Sequence, residues 1–188
     1  MNSRPNEAAP PTRPDASERS PRARRATRFD VFVSFDTDHD GELYDRILEQ
    51  SRMPGSGFAV SGSSPRTPAT DTTREATSRR IARADQVIVI CGEHTDASVG
   101  VFSELRAAQE AGKPYFMLWG RREVMCCKPQ GARAAEGMFS WTRQVLQDQL
   151  ALNQRKAQEQ AKTDAVARRC ALLKGRPMDR EAPSPPEP

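Results

Sequence analysis

The segment Gln86–Cys91, QVIVIC, constrains this chain more than any other, because its four central residues are all apolar and all β-branched. Six residues are too few for a buried helix, and β-branched side chains suit a pleated backbone. No polar residue alternates among them, so both faces of the strand must be covered. That is the pattern of a central strand in a parallel sheet with helices on either side.

The surrounding elements fit that reading. Phe29–Phe35, FDVFVSF, is a second compact strand that runs into the polar cluster Asp36, Thr37, Asp38, His39 and Asp40. Leu43, Ile47 and Leu48 then recur at helical spacing through Glu42–Ser51, and Pro54, Gly55 and Gly57 stop that helix. Phe58–Val60 predicts a short strand, and Ser61–Thr70 a long Gly, Ser, Pro and Thr loop. The next helix carries Ile81 and Ala84 inward, with Asp71 or Thr72 as its cap and Glu75 closing a capping box with Thr72. After QVIVIC a helix spans about Ser98–Ala111, with Val101, Leu105 and Ala108 on one stripe, Gly112 as its stop and Pro114 beyond. Tyr115–Trp119 predicts a fourth strand, and Phe139–Leu150 a last helix with Trp141, Val145 and Leu146 on its apolar side.

Strands alternating with helices call for right-handed crossovers and a parallel sheet. The expected fold is therefore an α/β, flavodoxin-like three-layer sandwich with four or five strands in the order 2-1-3-4-5. The ordered domain is expected over residues 28–150. Residues 1–27 are Pro, Arg, Ser and Ala without hydrophobic period, and are expected to form a disordered tail. Residues 151–188 read as a charged helical extension to about Leu173 followed by a Pro-rich tail.

Composition excludes several classes. No apolar run approaches the ~20 residues of a membrane span, and the N-terminus lacks the apolar core of a secretory signal, so a cytoplasmic protein with no membrane partner is expected. The net charge of +4 is carried largely by arginines in the tails, which argues against nucleic acid as a partner. Cys91, Cys126, Cys127 and Cys170 show no CxxC spacing, so neither zinc nor a disulfide framework follows. Adjacent Cys126 and Cys127 read as small side chains at a loop edge. Nothing matches GxGxxG, GxxxxGK[ST] or GxSxG.

In a 2-1-3-4-5 sheet, ligands bind outside the carboxyl ends of the first and third strands. Ser34–Asp40 and Gly92–Glu104 line that crevice. Glu104 is the sharpest candidate for chemistry, since a carboxylate near a helix start, partly covered by Phe102 and Phe35, can be held where a glycosidic bond breaks. The alternative is a solvated residue or a partner for Arg106 or Arg121. His94 reads as a loop histidine held by hydrogen bonds or capping the helix; a metal would also need Asp36, Asp38 or His39, and the spacing supports no specific site.

FDVFVSF with its acidic loop resembles the first strand of a TIR domain. ARADQVIVICGEHTDASVGVFSELRAAQEAGKP, Ala82–Pro114, is similar to the TIR stretch in which an aspartate precedes an apolar strand, a Ser-bearing loop follows, and a helix carries Glu-Leu before a Gly-Lys-Pro turn. YFMLWG at Tyr115–Gly120 and MFSWTRQVL at Met138–Leu146 look like the fourth strand and last helix of bacterial TIR-like proteins that include Thoeris anti-phage effectors. The resemblance implies a catalytic glutamate, here Glu104, that supports cleavage of the nicotinamide glycosidic bond of NAD+ to ADP-ribose or a cyclic variant. It implies substrate contacts from Ser34, Phe35, Asp36 and Ser98, with NAD+ as substrate, no cofactor and no metal. It further implies self-association or pairing with another TIR-like protein, with Met53–Pro68 as the assembly-coupled element. The family often has Trp four residues before that glutamate; Gly100 stands here. A non-catalytic TIR-like interaction module and a nucleoside deoxyribosyltransferase-like enzyme are the alternatives.

Overall fold

The computed structural model describes residues 28–66 and 70–174. The two tail expectations, for residues 1–27 and for the Pro-rich end, lie outside the described residues. Five strands, β1 (Phe29–Ser34), β2 (Phe58–Ser63), β3 (Gln86–Cys91), β4 (Tyr115–Trp119) and β5 (Met138–Ser140), form one parallel sheet in the order β2-β1-β3-β4-β5. Helices α1 (Gly41–Arg52), α2 (Asp71–Arg83), α3 (Val99–Glu110) and α4 (Arg143–Lys174) connect and flank it. This is the flavodoxin-like order that the alternation predicts.

All six residues of β3 are buried, as a strand covered on both faces requires. Ile88 and Ile90 pack with Val31, Val33, Leu43, Ile47 and Leu146 in the layer under α1 and α4. Val87, Val89 and Cys91 pack with Phe32, Ile81, Val101 and Leu105 in the layer under α2 and α3. The period of two thus sorts alternate residues into two cores.

Three local expectations are corrected. β2 continues through Ser63, so the loop that follows is shorter than the Gly and Ser content suggests. Its pairing with β1 slips by one residue: Val31 faces Val60, but Phe32 faces Gly62, leaving Ser61 as the extra residue of a β-bulge. Gly62 fits because a Cβ there would stand 3.0 Å from the Phe32 ring. Second, α2 is capped by Thr70, whose hydroxyl accepts the Thr73 N–H at 3.2 Å; Glu75 pairs instead with Arg79 one turn on. Third, Phe139 lies in β5, and α4 begins only at Arg143. As the sequence suggests, α4 does run on past Leu150, with Leu146, Leu150 and Asn153 buried and the following turns largely exposed.

Candidate functional site

The carboxyl ends of β1 and β3 open into a cleft of about 720 Å³. Its wall residues come from the loops after β1, β2 and β3 and from α2 and α3, and include Asp36, His39, Ser64, His94, Ser98 and Glu104.

Glu104 sits on the inward side of α3 and is 4% exposed. Ser34 at the end of β1 and Ser64 just beyond β2 both donate their hydroxyls to its Oε2, at 2.5 and 2.6 Å. With Oε2 engaged twice, Oε1 is the oxygen left for the cleft. Ser64 is itself fixed, because its Oγ accepts the Phe35 N–H at 3.0 Å and its own N–H donates to the Val33 carbonyl. Burial pushes the Glu104 carboxyl up to about 7, opposed by the two serine hydroxyls, which favour the ionised form. Both protonation states are therefore populated at neutral pH, which suits a group that must exchange a proton or meet a growing positive charge.

The arginines that could have neutralised Glu104 are engaged elsewhere. Arg106 pairs with Glu110 at 3.1 Å, and Arg121 bridges Asp40 and Glu42. The cover expected from two aromatics is also corrected. Phe35 turns its ring to the opposite core, stacked on Tyr44 at 4.8 Å, while Phe102 is part-exposed and lies by Gly131. What Phe35 brings to the cleft is the backbone amide that positions Ser64. Alternate residues of a strand face opposite layers, so Ser34 and Phe35 cannot both point at α3.

Asp36 is nearly buried and accepts from its own loop: its Oδ2 meets His39 Nδ1 at 2.8 Å and its Oδ1 takes the Asp38 N–H at 3.2 Å. That hydrogen bond raises the His39 pKa above the ordinary histidine value. The His39 and His94 rings lie 4.4 Å apart, so the structure brings together the only two histidines of the chain at the rim of the cleft. His94 thus packs on a ring rather than capping α3. No group of three or more His, Cys, Asp or Glu among the described residues is placed to hold a metal. Ser98 is the cap residue of α3 and lines the cleft without a capping hydrogen bond from its side chain. Gly100 opens that wall, since a Cβ there would meet nothing nearer than Ser98 Oγ at 4.0 Å.

Sequence reasoning missed Ser64. Strict alternation from Phe58 and Val60, which face the layer of Val31, would put Ser64 on that same face; the bulge at Ser61 turns Gly62 and Ser64 to the face of Phe32 and α3, so the local pattern points this hydroxyl away from Glu104. Removing this hydroxyl has a defined consequence. In Ser64→Ala the Glu104 carboxylate loses one of its two donors, so its pKa is expected to rise further; a ¹³C titration of the carboxyl checks this, and an unmoved or lowered midpoint would contradict it.

Elsewhere, Cys91 and Cys126 are buried, Cys127 is half-buried and Cys170 is exposed. Among the described residues no helix is long and apolar enough to cross a membrane.

No known family's sequence profile matches the chain, and no curated protein does. Among solved structures it is similar to a prokaryotic SEFIR domain, at 18% identity over 68% of this chain and 90% of that one, with a TM-score of 0.40. The fold assignment rests on the strand order and connections described above.

Proposed function

We propose that this chain is a TIR-like protein that cleaves the nicotinamide glycosidic bond of NAD+, yielding ADP-ribose or a cyclic ADP-ribose-type signal in bacterial anti-phage immunity. One observation carries the reading: a buried carboxylate, Glu104, without a cationic partner among the described residues, stands at the switch-point cleft, held by two serine hydroxyls. When the bond between the ribose anomeric carbon and the nicotinamide nitrogen breaks, its electron pair leaves with the nicotinamide, which departs neutral. The sugar becomes an oxocarbenium-like cation, and a carboxylate fixed in low dielectric stabilises that charge. Water, or a nucleophile of the adenine base, then captures the anomeric carbon. Arg66 and Arg74, which line the same cleft, offer positive charge to the pyrophosphate.

The full chain, incubated with NAD+ at concentrations that promote self-association, is expected to release nicotinamide, followed by liquid chromatography. Glu104→Gln should lower the rate by at least about 100-fold, the scale of losing an electrostatic or acid–base group. Turnover that survives Glu104→Gln would overturn the assignment of Glu104. The absence of turnover in every oligomeric state would favour the second reading, a TIR-like module that acts through its surfaces. The open wall at Gly100 favours that second reading.

A further inference from the structure

His39 stands at the rim of the cleft on the loop after β1, half-exposed, and NAD+ cleavage by Glu104 makes no use of it. Three contacts nevertheless fix it. Its Nδ1–H donates to Asp36 Oδ2 at 2.8 Å, its ring packs against that of His94 with centroids 4.4 Å apart, and its carbonyl accepts from the Arg121 guanidinium at 3.1 Å. Asp36 is locked in turn: nearly buried, it takes the Asp38 N–H on Oδ1 at 3.2 Å and the Asp40 N–H on its carbonyl at 2.9 Å. An exposed imidazole ordinarily samples several rotamers, whereas this one is held from the loops after β1, β3 and β4.

A carboxylate on Nδ1–H leaves Nε2 as the nitrogen that exchanges protons. Nε2 makes no hydrogen bond among the described residues. The Asp36 hydrogen bond raises the His39 pKa, with Asp38 and Asp40 acting in the same sense, so the imidazolium extends to higher pH than that of an ordinary histidine. Of the groups that face it from other elements, His94 is a second imidazole, and the charge of Arg121 is spent on Asp40 and Glu42.

Nicotinamide has no need of such an acid, because it is cationic while bonded and departs neutral. The base of an ordinary nucleoside is neutral while bonded and would depart as an anion unless a proton reaches it. That harder cleavage requires a carboxylate to stabilise the sugar cation and an acid for the base, and Glu104 and His39 line one cleft. Arg66 and Arg74 on its other wall suit a 5′-phosphate.

We propose that this cleft hydrolyses the N-glycosidic bond of a purine nucleoside 5′-monophosphate, with His39, held by Asp36, as the acid for the leaving base. This activity depends on the role given to Glu104 above but not on NAD+ as a substrate. The bond between the anomeric carbon and purine N9 breaks, and its electron pair goes to the base. The Nε2 proton passes to purine N7. Water then closes on the anomeric carbon and returns a proton to Nε2, which leaves ribose 5-phosphate, the neutral base and a restored His39.

Two substrates with the same ribose 5-phosphate isolate the acid: adenosine 5′-monophosphate, whose base needs a proton, and nicotinamide mononucleotide, whose base does not. The full chain is expected to release adenine from one and nicotinamide from the other, each followed by liquid chromatography. His39→Gln, whose amide can still donate to Asp36, should lower kcat for adenine release at least about 100-fold, with KM and nicotinamide release each changed less than about threefold. It should also abolish the fall in adenine release as pH rises through the His39 pKa. Glu104→Gln should slow both reactions. Equal losses on the two substrates would make His39 a structural residue and overturn the proposal, as would adenine release indifferent to His39→Gln. Nicotinamide release without adenine release would overturn it too, while leaving NAD+ cleavage standing. Adenine release without nicotinamide release would uphold it and overturn NAD+ cleavage, and release of neither base would overturn both.

Discussion

Replacing Glu104 with glutamine is expected to stabilise the domain by an amount that grows with pH and reaches about 3 kcal/mol above neutrality. Below the ordinary glutamate value of 4.5, folded and unfolded chains both hold the proton, and the residue imposes no pH-linked cost. As pH rises past that point the unfolded chain ionises while burial keeps the folded one protonated until about 7. Folding then carries a growing penalty that is complete once the native carboxyl also ionises. Glutamine keeps an oxygen for Ser34 and Ser64 and has nothing to titrate, so other pH-sensitive groups cancel in the comparison. Urea unfolding of both proteins at pH 4 and pH 8 measures the difference; a gap that is the same at both would refute the buried, uncompensated carboxylate. A residue retained at that cost in stability is what a working site tolerates.

Gly92→Ala should destabilise the domain by about 3 kcal/mol or more, the range for breaking a buried ion pair. A Cβ on Gly92 would stand 2.2 Å from Asp40 Oδ2 and 2.3 Å from Oδ1. Asp40 is fully buried, and its carbonyl accepts the Leu43 and Tyr44 amides at the start of α1. Its carboxylate cannot move aside without leaving Arg121, and Oδ2 already lacks a hydrogen-bond partner. The new methyl therefore strikes a charge with nowhere to go. Gly137→Ala, where a Cβ would meet nothing within 4 Å, is the matched control and should be near neutral. In an Asp40→Ala background the Gly92 substitution should lose most of its effect; an undiminished loss there would place the strain elsewhere.

The parts legible in the sequence are those where a single physical demand dominates. QVIVIC must be covered on both faces, and that alone implies parallel strands, flanking helices and a crevice at the switch point. Gly112 stops α3 at a φ of +61°, and its sequence position announces that. β5 escaped because three residues carry almost no periodicity, and Phe139 continues the apolar spacing of the helix behind it. Thr70 does not stand out as the cap in the sequence because Asp71 and Thr72 after it are equally good cap formers. In the cleft, the position after β3 makes Glu104 a candidate, but its two hydrogen-bond partners come from the end of β1 and from just beyond β2. The resemblance implies that Ser34 contacts substrate, and the structure adds that its hydroxyl donates to Glu104; no local pattern reveals which serine in a polar loop is buried against a carboxylate.

The slipped pairing in β2 also sets which changes of length this site can survive. Gly62 opposite Phe32 and Ser63 opposite Val33 leave Ser64 beside Ser34, so the pair that grips Glu104 is counted from the far side of the bulge. Losing Ser61 would merely restore an even ladder and keep both serines abreast. Gaining one residue between Gly62 and Ser64 would turn the second hydroxyl to the opposite face of the sheet. Descendants of this chain are therefore free to shorten the strand at one place and barred from lengthening it two residues later, a rule about insertions and deletions written by a single stretch of pleat.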